Sequence, residues 1–206
     1  MKAMPIWSKE EPFGTELAEV EFREGALSAN GIAVGTFAQS GGDVPLAYRL
    51  DYRLSTVERF VTARLVVQVR GNGWNRALDL RRLASGKWKC TTVAEGNVDL
   101  PPPGGDLSIV DGALDCDLAL SPLTNTMPVL RHRSQESREP FEFVMALVSV
   151  PDLAVKRSVQ RYAFTESTDD VLAVRFEEVD SAFVADLKFD SSGLVLEYPG
   201  LARRIA

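Results

Sequence analysis

A chain of 206 residues, 45% hydrophobic and 25% charged, is long enough to bury about 70% of its surface without disulfide or metal staples. Its net charge of −6, with no basic block beyond Arg131-His132-Arg133, argues against a nucleic-acid partner. The longest apolar run, Val144 to Val150, is far too short for a membrane span, and the first eleven residues lack the apolar core of a secretory leader. A cytoplasmic location and no integral membrane segment are therefore expected.

Period-2 alternation runs from end to end. Leu17 to Phe22 and Gly31 to Thr36 read as an early strand pair. After the Gly41-Gly42-Asp43 turn, Val44 to Leu54 places Leu46, Tyr48, Leu50, Tyr52 and Leu54 on one face, with Arg49, Asp51 and Arg53 on the other. Ser55 to Glu58 reads as a tight turn, because β-branched and aromatic residues follow at once. Phe60 to Arg70 is the cleanest strand, and Gly71-Asn72-Gly73 supplies the positive-φ residues of a hairpin loop. Trp74 to Arg82 and Lys87 to Thr92 follow, then a Pro/Gly loop from Leu100 to Asp106.

The next strand sets Leu114, Cys116, Leu118 and Leu120 against Asp115 and Asp117. It runs into a polar turn bracketed by Pro122 and Pro128, which carries Ser121, Thr124, Asn125 and Thr126. Ser134 to Pro140 is highly charged and expected to face solvent. Phe141 to Val150 is apolar on both sides except at Glu142 and Ser149, so it should be covered on both. Leu153 to Phe164, Val171 to Glu177, Phe183 to Phe189 and Leu194 to Tyr198 complete the set. No stretch reaches 12 residues of helical periodicity. The chain reads as one all-β domain over residues 1–206: an antiparallel meander that cannot stay flat and must curl into a half-barrel or open barrel, or split into two sheets.

Chemistry is limited. His132 lies between two arginines and is expected on the surface, a poor base without a carboxylate to orient it. No cluster has metal-ligand spacing, the glycine pairs lack the helix and lysine of a phosphate loop, and Cys90 and Cys116 read as buried, reduced thiols. No cofactor or metal is expected. What remains is a carboxylate pair. Asp115 and Asp117, with Cα atoms roughly 6.5–7 Å apart on one strand face, suit acid/base work on a glycoside. They equally suit a ligand headgroup, or cross-strand pairing with Arg64, Arg81 or Lys89. Trp74 and Trp88 fill a core or bind an apolar ligand face. Gln160 and Tyr162 share a strand face and serve either cross-strand pairing or headgroup hydrogen bonds.

Asp111-Gly-Ala-Leu-Asp-Cys-Asp-Leu118 with Ser121-Pro-Leu-Thr-Asn-Thr-Met-Pro128, then Val150-Pro-Asp-Leu153, Gln160-Arg-Tyr162 and Gly193-Leu-Val-Leu-Glu-Tyr-Pro-Gly-Leu201, resemble a bacterial family, formerly a domain of unknown function and now called glycolipid-binding. Gly73-Trp74 and Gly86 to Trp88 extend the resemblance over nearly the whole chain. It implies a β half-barrel similar to the lipoprotein-localisation factors, with a concave face that shelters acyl chains; it implies no catalytic residues. The expectation is a non-enzymatic protein that binds an amphiphile. Acyl chains would meet apolar residues of the hollow, Trp74 and Trp88 among the candidates. The headgroup would meet Asp115, Asp117, Ser121, Thr124, Asn125, Arg131, Gln160 and Tyr162. A hydrolase or isomerase acting through Asp115 and Asp117, or a partner-binding scaffold, are the alternatives.

Overall fold

The computed structural model describes residues 1–206 except 39–44, 134–138, 166, 167 and 169. The strands are β1 (Lys2–Ala3), β2 (Ile6–Lys9), β3 (Gly14–Arg23), β4 (Ala26–Phe37), β5 (Leu46–Val57), β6 (Val61–Gly71), β7 (Trp74–Arg82), β8 (Trp88–Gly96), β9 (Asp115–Leu118), β10 (Phe141–Val148), β11 (Val155–Phe164), β12 (Val171–Glu178), β13 (Phe183–Asp190), β14 (Val195–Tyr198) and β15 (Ala202–Arg204). One helix, α1 (Thr126–His132), follows a 3-10 turn at Pro122–Asn125. The strands form a single sheet in the order β8-β7-β6-β5-β4-β3-β2-β15-β14-β13-β12-β11-β10-β9, with β1 beside β3. Every neighbour is antiparallel except β9 and β10.

The all-β curled meander expected from alternation is what the chain builds. The parallel β9–β10 pair and one further feature depart from an antiparallel meander. The chain ends meet in the middle of the sheet, where β15 pairs with β2 and the Ile6 N–H donates to the Ala206 carbonyl at 3.0 Å. The strand edges β8 and β9 are not paired with each other, so the sheet is open.

Curling brings the two ends of the sheet back together. The Thr62 N–H of β6 donates to the Leu114 carbonyl at 3.0 Å, and the Cys116 N–H donates to Thr62 Oγ1 at 3.1 Å. The segment between β8 and β9 bridges the opening. Trp88 Nε1 and Arg82 Nε both donate to the Ala113 carbonyl, and Gly104 exchanges hydrogen bonds with Leu153 and Val155. Inward residues of both halves then form one core, from Tyr52, Leu65 and Leu78 to Leu118, Phe176 and Leu187.

Candidate functional site

The concave side is filled by the chain itself. The expected polar turn from Pro122 to Pro128 is instead a buried helical insertion: every residue from Ser121 to Arg131 is buried. The chain leaves β9 through Leu120 at φ 66°, a left-handed conformation that redirects it under the sheet. Leu123, Met127, Val129 and Leu130 pack into the core. Burial of these four contributes about 1.5–3 kcal/mol each.

The polar residues of this plug are held by groups far away in sequence. Arg131 makes a bidentate ion pair with Asp115 (2.7 and 2.5 Å) and donates to the carbonyls of Arg59 and Phe60. Those two carbonyls are presented by residues at φ 59° and 57°, uncommon for side chains this large. Burial pushes the Asp115 carboxyl above its ordinary range despite the guanidinium. Ser121 donates to Glu16 at 2.6 Å; Glu16 also accepts from Tyr52 and pairs with Lys9 at 2.9 Å, all of it buried. Burial and then the Glu16 charge raise the Tyr48 hydroxyl to about 12.

The third set is buried except at Asp117 and the adjoining Glu178, which are half-buried. Asp117 accepts from Thr124 Oγ1 (2.6 Å) and Gln160 Nε2 (2.7 Å), and makes no ion pair among the described residues. Gln160 accepts from Tyr162, which accepts from Asn125. Beside Gln160, Ser158 donates to Glu178 at 3.0 Å, and Ser181 donates to the other Glu178 oxygen. Burial raises the Asp117 carboxyl, its two donors lower it, and the charges of Glu178 and Asp115 raise it. Strand register sets these groups in a row. Phe143 of β10 lies opposite Gln160 of β11, Gln160 opposite Glu178 of β12, and Glu178 opposite Phe183 of β13. Phe143, Asp117 and Glu178 are half-buried, and Phe183 is 42% exposed. Tyr198 stands 6.3 Å from the Phe183 ring, Phe176 5.9 Å from Tyr198, and Tyr162 5.4 Å from Phe143, so rings flank the polar row continuously.

Of the ten residues expected to bind, five are thus joined in one network: Asp117, Thr124, Asn125, Gln160 and Tyr162. Asp115 and Arg131 are spent on each other, and Ser121 on Glu16. The two aspartates therefore do not form an exposed dyad, and their partners are Arg131, Thr124 and Gln160. Arg64 and Arg81 both bond Asp79 instead. Trp74 is buried edge-on against Phe37 and Trp88 against Ala113, apart from this network. Glu178, Ser158, Phe143, Phe183 and Tyr198 join or flank this network and are not among the expected residues. The alternation of β12, carried one residue beyond Glu177, puts Glu178 in phase with Phe176 and was the available clue. No group of three or more His, Cys, Asp or Glu among the described residues could hold a metal.

His132 departs from its expected surface position. Far from being a solvated surface residue, it is half-buried and stacked 4.0 Å from Phe141. Its Nδ1 lies 3.1 Å from the Pro128 carbonyl, which can only accept, so Nδ1 carries the hydrogen. Burial, then the charges of Arg131 and Arg59, lower its pKa to about 4. Because the folded form resists a proton that the unfolded chain takes up below pH 6.5, stability is lost as pH falls from 6.5 towards 4. This lone histidine gives a clean proton NMR signal, whose midpoint is expected near 4; a midpoint near 6.5 contradicts the stacked placement. The charged stretch Ser134 to Pro140 lies mostly outside the described residues. Cys116 is a buried thiol, whereas Cys90, expected to be buried as well, is only half-buried.

A family model described as "Putative glycolipid-binding" matches residues 4–204. The crystal structure of a DUF1089 family protein from Pseudomonas aeruginosa is 27% identical, with 92% of each chain covered and a TM-score of 0.72. No curated protein matches. No helix among the described residues is long and apolar enough to cross a membrane.

Proposed function

We propose, from the premise that this chain belongs to the Putative glycolipid-binding family, that it binds the sugar headgroup of an amphiphile without transforming it, on the row Phe143–Gln160–Glu178–Phe183. The observation that carries this reading is the pairing of two half-buried carboxylates that make no ion pair among the described residues, Asp117 and Glu178, with the part-exposed rings of Phe143 and Phe183. Sugar hydroxyls donate to Asp117 and Glu178, the Gln160 amide fixes orientation, and the C–H faces of a pyranose stack on Phe143, Phe183 and Tyr198. The tail lies along the half-buried rings of Phe141 and Phe164 rather than in the hollow, since the plug occupies that space. Location in the cytoplasm belongs to the same reading.

Octyl β-glucoside, kept below its micelle concentration, is the probe. The wild-type protein is expected to bind it, Phe183→Ala to weaken binding about tenfold, and Glu178→Gln to weaken it at least threefold. Unchanged affinity in both variants ends this assignment. A hydrolase or isomerase reading rests on one observation, the raised Asp117 carboxyl beside Glu178. Release of glucose from the probe, abolished by Glu178→Gln, would select it.

A further inference from the structure

The outer face of β5 to β8 carries charge that the rest of the chain does not predict. Register stacks the outward residues in rows: Val34–Arg49–Arg70–Asn75–Glu95, Ile32–Asp51–Gln68–Ala77–Val93, Asn30–Arg53–Val66–Asp79–Thr91, and Ser28–Ser55–Arg64–Arg81–Lys89. On β5 to β8 these rows hold six cations and three carboxylates, in a chain whose net charge is −6. Two of the rows place arginines directly opposite each other, Arg49 against Arg70 and Arg64 against Arg81. Such like-charge pairs are destabilising unless something lies between them. For Arg64 and Arg81 that something is Asp79, bonded by both and held well below the usual carboxylate range. The other pair has no such mediator. Asp51 is taken by Arg49 alone, Arg70 reaches only Gln68, and Arg53 makes no ion pair among the described residues.

Arg49, Arg53 and Arg70 border a groove of about 490 Å³ that also takes in Leu17, Ile32 and two carboxylates, Glu19 and the Arg49-bound Asp51. Large apolar side chains stand out of the same face: Ile32 is 44% exposed, Val34 45%, and Phe13, which lines the adjoining hollow with Arg49 and Arg70, 73%. Two guanidiniums without counter-ions among the described residues, Arg53 and Arg70, beside exposed apolar residues complement one chemistry best, an anionic headgroup with hydrocarbon behind it.

We infer that this outer face docks onto an anionic membrane surface, with Arg53 and Arg70 on lipid phosphates and Phe13, Ile32 and Val34 in the interfacial layer. The face lies on the side of the sheet opposite the sugar row, so the two sites are independent. Co-sedimentation with phosphatidylcholine vesicles, with and without 30% phosphatidylglycerol, tests it. The wild-type protein is expected to pellet at least fivefold more with the anionic vesicles at 50 mM salt, and to lose that excess at 500 mM. Arg53→Glu/Arg70→Glu should cut the excess at least tenfold, and Phe13→Ser severalfold, with melting temperatures unchanged because these side chains are exposed. Equal pelleting with both vesicle types, or an excess that survives the charge reversal, overturns the inference.

Discussion

Replacing Arg131 with methionine is expected to lower the unfolding free energy by about 3–5 kcal/mol, read by urea denaturation. The guanidinium is the only cation paired with the fully buried Asp115 among the described residues, and it also satisfies the Arg59 and Phe60 carbonyls. Its loss strands a carboxylate in the core and unties the plug from the turn that precedes β6. Two further readings separate this account from a simple packing loss. The variant should recover part of its stability on acidification: the folded pKa of Asp115 is already raised, so protonation favours the folded state as pH falls through it. Removing both charges, in Asp115→Leu/Arg131→Met, should cost far less than removing Arg131 alone, since an apolar pair leaves no buried charge behind. If the single and double variants are equally unstable, the ion pair does not anchor the plug.

The second large effect is expected from Gly31→Ala, at about 2–4 kcal/mol. β4 runs so close to the Tyr52 side chain that a Cβ at position 31 would clash with the Cζ, Cε1 and hydroxyl oxygen of its ring. The ring must move, and its hydroxyl then leaves Glu16, which also holds Ser121 and Lys9. Tyr52→Phe, which deletes only the hydroxyl, should cost about 1–2 kcal/mol. Gly31→Ala combined with Tyr52→Leu should be markedly less costly than the sum of the two, because the clash has been removed. Strict additivity in thermal or urea melts would show that the backbone, rather than the ring, sets the cost.

Strand positions were legible because alternation survives wherever one sheet face is buried. β5 and β6 show it most clearly, with Leu50, Tyr52, Leu65 and Val67 inside and Arg49, Arg53, Arg64 and Arg70 outside. The strands β1 and β2 were not legible: four residues or fewer give alternation too little length, and β2 takes one of its partners, β15, from the other end of the chain. Ser55 to Val57 continues β5 through a register shift instead of turning, since the polar Ser55 and Thr56 still pair with Arg64 and Thr62.

The plug was misread for a deeper reason. Ser121, Thr124 and Asn125 look like turn residues by type, and only their partners make them tolerable inside. Ser121 reaches Glu16 across 105 residues, and Asn125 reaches Tyr162 across 37. Local polarity carries no trace of such partners. The same limit explains why Asp115 and Asp117, identical in type and two residues apart, have opposite fates. One is sealed by an arginine from the plug, while the other keeps a neutral set of donors next to Glu178.

The most direct measurement is a residue-by-residue NMR titration of the protein with octyl β-glucoside. The account predicts saturable shifts at Phe143, Gln160, Glu178, Phe183 and Tyr198, with the Leu123, Met127 and Val129 signals of the plug unmoved. Shifts confined to the plug and to Trp74 or Trp88 would place the ligand in an opened hollow and contradict the assignment.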